Sequence, residues 1–209
     1  MKRQDIETIK ETISVLVGQP LRNLGRAGTS LVVANFGKLV EKNMMHLDEN
    51  GEWMRDESGK ISRRKGLQGN IEIHISCSVR MTCGDEILLS KSDIFLPNTK
   101  LAQTQKVEID EMEFFDWDNF DPSAYGSNYF DEKVGKYVGD EPFEFAVKKV
   151  SVTKFGDLTI GFENGFALEL FADGANDSEN WCIHKIDDES FGLAVFGDGI
   201  EKNEQNTDD

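Results

Sequence analysis

The chain has 209 residues, enough for one large domain, and its 38% hydrophobic and 30% charged residues suit a soluble globular protein. Its formal net charge of −16 repels nucleic acid and anionic membranes and steers basic partners inward. No apolar run approaches the roughly eighteen residues of a membrane span, and MKRQDIETIKETI lacks a signal-peptide core, so the expected compartment is the cytoplasm.

Ile6, Ile9, Ile13 and Leu16 recur at spacings of three and four, a single apolar stripe that predicts a helix over 4–17. Asp5 and Glu7 suit its N-terminal end and Gly18 and Pro20 stop it. GRAG at 25–28 is a turn without the glycine spacing of a phosphate loop. SLVVANFG at 30–37 reads as a strand. Residues 38–68 are mixed and polar, with a turn at DENG (48–51) and a basic loop at KISRRKG (60–66) that carries Arg63, Arg64 and Lys65.

The clearest pattern follows. Ile71, Ile73, Ile75, Cys77, Val79, Met81 and Cys83 alternate with Glu72, His74, Ser76, Ser78, Arg80 and Thr82. Strict period two predicts one long half-buried strand over 71–83, odd side chains inward. CGDE turns the chain into an antiparallel partner, ILLSKSDIFLP. Further on, Phe143, Phe145 and Val147 alternate in one phase and Val150 and Val152 in the other, which predicts a bulge or bend. DLTIGFENGFALELF predicts a hairpin with a type I′ turn at Asn164-Gly165. NWCIHKI and FGLAVFG are two more short strands. The fold class expected is α+β: an antiparallel, partly bent sheet built from hairpins, with an N-terminal helix. One domain spans 1–199, with an acidic aromatic insertion at about 107–144 and a flexible polar tail at 200–209.

Taken in order, LVGQPLRNLGRAG with LVVANFG, IEIHISCSVRM…ILLSKSDIFLP, GDLTIGFENGFALELF…ENWCIH and LAVFGDG resemble a loosely defined group of small uncharacterised bacterial proteins. Some of that group are encoded beside secreted toxins and are suspected immunity proteins. The resemblance spans most of 12–199, rests on strand and turn patterns without catalytic letters, and implies no established activity.

Charge and aromatic residues concentrate in the second half. Residues 1–106 hold 16 Lys and Arg against 13 Asp and Glu, whereas residues 107–209 hold 7 against 26. The segment FFDWDNFDPSAYGSNYFD, 114–131, has seven aromatic residues and four aspartates in eighteen. An acidic linker would be poor in aromatics. Rings supply desolvated anchor area and aspartates supply steering toward Lys and Arg. The candidate partner-binding residues are therefore Asp116, Trp117, Asp118, Phe120, Asp121, Tyr125 and Tyr129, facing a basic protein such as a toxin domain. The competing reading is an ordered insertion whose rings cover the sheet and whose aspartates cap turns, with the acidic half serving solubility.

Other chemistry finds less. Counting from Asp116, the fifth, sixth and twelfth positions of a calcium loop hold Phe120, Asp121 and Ser127, so that pattern fails. Cys77, Cys83 and Cys182 form no CxxC pair and read as buried small hydrophobes, and His46, His74 and His184 sit in no HExxH. No metal, no cofactor and no catalytic residue is expected. His74, Ser76, Ser78 and Arg80 share one predicted strand face and form a candidate polar groove, or a plain solvent-facing side. The leading expectation is a non-enzymatic cytoplasmic binding protein of immunity type, with no nucleic acid or membrane partner. A ligand-binding or structural protein using the groove comes second, and a small enzyme third.

Overall fold

The computed structural model describes residues 1–45, 54–139 and 145–203. The helix α1 (Arg3–Ile13) passes into a 3-10 turn over Ser14–Leu16. Asp5 accepts the Lys2 backbone N–H at 2.8 Å, and Ile9, Ile13 and Leu16 are fully buried, as the stripe requires. Gly18 takes φ +79° where the chain leaves the helix, a conformation that favours glycine.

Among the described residues eleven strands follow: β1 (Pro20–Ala27), β2 (Leu31–Met45), β3 (Arg63–Ile75), β4 (Ser78–Cys83), β5 (Glu86–Ser90), β6 (Phe145–Val152), β7 (Leu158–Phe162), β8 (Phe166–Phe171), β9 (Glu179–Lys185), β10 (Asp188–Phe196) and β11 (Ile200–Lys202). They pair antiparallel in the order β11-β10-β9-β3-β2-β1-β6-β7-β8-β4-β5. A mostly antiparallel sheet with an N-terminal helix and a few short ones agrees with the α+β expectation. Among the described residues, no helix is long and apolar enough to cross a membrane.

The expected single strand over 71–83 is two strands. The face assignment holds for Ile71, Ile73, Ile75, Cys77, Val79 and Met81, all buried, while Cys83, expected buried, is only half-buried at the strand end. The continuity does not. Ser76 and Cys77 leave the ladder, and both of their N–H groups donate to the Asn180 carbonyl at 2.9 Å. Five strands lie between β3 and β4 in the sheet. At about 4.8 Å per strand that is roughly 29 Å across a flat sheet, whereas the three residue steps from Ile75 to Ser78 span at most about 11 Å. The sheet must therefore curl until its two halves face each other. One hydrophobic core fills the space between them, with Phe36, Ile73, Trp181 and Ile183 from one half and Met81, Ile160, Leu168 and Leu170 from the other.

Other elements differ in detail. GRAG is mostly the end of β1, and the turn falls on residues 28–30. The stretch 38–68, mixed and polar in sequence, contains the two sides of a hairpin arm: residues 39–45 of β2 pair with 63–69 of β3. Arg63, Arg64 and Lys65 are strand residues of that arm, and Lys65 pairs with Glu41 at 2.8 Å. DENG and His46 lie outside the described residues. The phase slip in β6 is a register shift between Val147 and Lys149, as expected. The Asn164-Gly165 hairpin is not type I′: only Gly165 has a positive φ, +87°, and its N–H bonds the Phe162 carbonyl. A type I turn closed by a left-handed glycine leaves a three-residue loop. Residues 200–202, expected to begin the polar tail, form β11 and pair with β10.

Candidate functional site

The outer surface of β2, β3 and β9 is where the structure gathers titratable groups. On β3, Glu72 and His74 point away from the core because their odd neighbours point into it. On β9, Cys182 and His184 share a face for the same reason. The pairing places His184 opposite Glu72 and Cys182 opposite His74, while Asn35 of β2 stands opposite Glu72 on the other side. The result is a square of side chains on rigid strands.

An outer face would ordinarily be wet, yet Glu72 is only 4% exposed. The hairpin arm covers it. In a straight strand the Cα atoms of Gln68 and Glu72 would stand about 13 Å apart, but the Gln68 amide donates to the Glu72 carboxylate. The register shifts between Phe36 and Leu39, and β3 bends at Gly69, where a Cβ would stand 2.5 Å from the Phe36 carbonyl oxygen. The bend lays the arm back over the sheet. Lys42 then reaches Glu72 at 2.8 Å, Asn35 donates to it at 3.1 Å, and His184 Nε2 stands 2.9 Å from it.

These contacts set the protonation states. Burial alone would raise the Glu72 pKa; hydrogen bonds from His184, Lys42 and Asn35, with the Lys42 charge, overcome it and hold the carboxyl well below the usual range. Burial pushes His74 down, and neighbouring His184 adds to the shift. Burial pushes the Cys182 thiol up to about 12, and Glu179 adds to it. The two imidazoles meet edge to face with centroids 4.8 Å apart, and the ligand atoms of His74, Cys182 and His184 all lie within 4.8 Å of one another.

The expected groove of His74, Ser76, Ser78 and Arg80 is divided. His74 belongs to this cluster. Ser76 lies in the break between β3 and β4. Ser78 donates to Asp173 at 2.5 Å, and Arg80 pairs with Glu169 across β4 and β8 at 2.7 Å while stacking on Phe171.

The acidic aromatic segment is built differently. Its described part holds 3-10 turns over Ile109–Phe114 and Trp117–Asn119 and the helix α2 (Tyr129–Tyr137). Arg26 of β1 anchors it: Nε and Nη2 grip both Asp131 oxygens at 2.8 Å, and Nη2 and Nη1 also donate to the Ala124 and Ser123 carbonyls. Both partners of the ion pair are buried, at 2% and 8% side-chain exposure. Asn128, fully buried, caps α2 by accepting the Asp131 N–H and donates to the Pro122 carbonyl.

Of the partner-binding candidates, Asp116 and Asp121 are occupied locally. Asp116 accepts the Asp118 N–H and the Asn119 amide, and Asp121 accepts both the N–H and the hydroxyl of Ser123. Asp118 is exposed, and its carboxylate accepts no hydrogen bond among the described residues. Phe115, Trp117 and Phe120 form an edge-to-face trio with Phe115 buried beneath the other two. Trp117 remains 45% exposed, Tyr125 62% and neighbouring Phe114 71%. Tyr129 is half-buried under the Lys133 ammonium, 4.3 Å from its ring centroid.

Fold and site together define a curled antiparallel-sheet protein with two separate polar regions: a linked carboxylate–imidazole–thiol cluster beneath a bent hairpin, and an anchored acidic segment with exposed rings. No family model, no curated protein and no solved structure matches the chain.

Proposed function

We propose that this chain is a non-enzymatic binding protein that presents the described surface of residues 107–139 to a basic protein partner. The observation that supports the reading is the pairing of exposed rings with exposed acids on an anchored segment. Phe114, Trp117 and Tyr125 stand among Glu108, Glu111, Glu113, Asp116, Asp118 and Asp121, all of them exposed. Large exposed rings are hot-spot material, and surrounding acids steer a cationic partner and set register. The segment is already ordered by Arg26 and Asn128, so binding need not supply the ordering free energy. The partner of this chemistry is a basic toxin domain met in the cytoplasm, which makes the chain an immunity protein.

The test uses residues free of turn duties. In Glu111→Lys/Glu113→Lys/Asp118→Lys, association with a purified basic toxin domain, followed by stopped flow, slows about tenfold or more. Wild-type association weakens steeply with added salt. An on-rate unchanged by the three reversals would mean that the segment only covers the sheet.

A further inference from the structure

The sequence offers no metal-ligand spacing, but strand pairing makes one in space. We propose that His74, Cys182 and His184 bind a single zinc ion, with Glu72 as the carboxylate that orients His184. Three observations carry this. The ligand atoms already lie within 4.8 Å of one another. Zinc at about 2.0–2.3 Å from nitrogen and sulfur needs them roughly 3.3–3.6 Å apart, a closure of about an ångström that side-chain torsions supply. Second, the residues project from adjacent rigid strands, with His74 and Cys182 directly paired. Third, Glu72 takes up Nε2 of His184, which leaves Nδ1 for the ion and reproduces the carboxylate–histidine–metal arrangement.

The donor set selects the ion. One thiolate and two imidazoles favour a borderline-soft cation over calcium or magnesium. Three protein ligands leave the fourth position of a tetrahedron to water or to a ligand group. All three residues are half-buried, so the ion reaches them from solvent. Forming the zinc–sulfur bond breaks the Cys182 S–H bond, and the proton leaves to buffer. The site is separate from the acidic segment and independent of its role.

The test titrates the whole chain, dialysed against chelator, with Zn²⁺ by calorimetry and with Co²⁺ by absorption. One ion binds per chain, proton release appears as a buffer-dependent heat, and Co²⁺ gives a thiolate-to-metal charge-transfer band that Zn²⁺ abolishes. Cys182→Ser removes the band. Glu72→Gln keeps it while weakening Zn²⁺ about 10–100-fold, and His184→Gln weakens Zn²⁺ beyond that range. Should Cys182→Ser fail to fold by circular dichroism, His74→Gln and His184→Gln decide the matter. Absence of binding, a band that survives Cys182→Ser, or Co²⁺ bound without any thiolate band would overturn the proposal. The last result would assign the ion to surface carboxylates.

Discussion

The cluster around Glu72 and the segment around Asp116 both gather polar residues, but they hold them in opposite ways. Glu72 is buried, and four side chains from β2, β3 and β9 converge on it, two of them on the hairpin arm. Asp116 and Asp121 are exposed and mostly serve residues two or three positions away. The first is a tertiary network in a low dielectric, where each contact is strong and each loss leaves an unsatisfied group. The second is a set of local turns whose charges meet water and act through their summed field. Acid content alone therefore says little: the same residue type stabilises a fold in one place and shapes a surface in the other.

The largest effect is expected where the acidic segment does use a buried pair. Asp131→Ala leaves Arg26 charged and buried, and should cost about 3–5 kcal/mol. Urea unfolding should show it as a lower midpoint with an unchanged slope. A loss under 1 kcal/mol would mean that Arg26 does not anchor the segment.

Next comes the bend that roofs Glu72. Gly69→Ala puts a methyl against the Phe36 backbone, which cannot yield as a side chain can. The expected cost is about 1–3 kcal/mol, with faster amide exchange in residues 39–45. An unperturbed arm would show that the bend does not depend on close approach at Gly69.

Glu72→Gln sharpens the contrast through pH. The native Glu72 carboxyl is held low, so the unfolded chain takes up its proton first, near about pH 4.3. The stability it contributes is present above that value and is lost as pH falls through and below it. His74, held neutral by burial, adds a loss that begins below about pH 6.5. In chelator-treated protein, Glu72→Gln should cost about 1–3 kcal/mol at pH 7, and the variant should lose less than wild type between pH 5 and 3. A parallel pH dependence in both proteins would remove Glu72 from the account.

The smallest stability effect belongs to Glu111→Lys/Glu113→Lys/Asp118→Lys. Each exposed reversal should stay within about 0.5 kcal/mol, so the melting temperature barely moves while partner association slows. A large drop in melting temperature would show that these acids stabilise the fold rather than serve a surface.

Local pattern was enough for much of this molecule. The stripe Ile6, Ile9, Ile13 and Leu16 specified α1, and the alternation from Ile71 to Met81 specified which face is buried, because both periods follow from backbone geometry. Glu72 with His74 was legible as a pair sharing a strand face, whereas Cys182, which reads as a buried small hydrophobe, is half-buried beside His184. Tertiary structure decided the rest. No residue between Ile71 and Cys83 announces that five strands separate β3 from β4, since a break of two residues hardly disturbs a period of two. The bend at Gly69 depends on the Phe36 backbone, half a hairpin away. The meeting of Glu72 with His184 depends on β3 pairing with β9 across 112 residues of chain. Side-chain periodicity is set by each residue's own backbone; which strands become neighbours is set by the closure of the whole core.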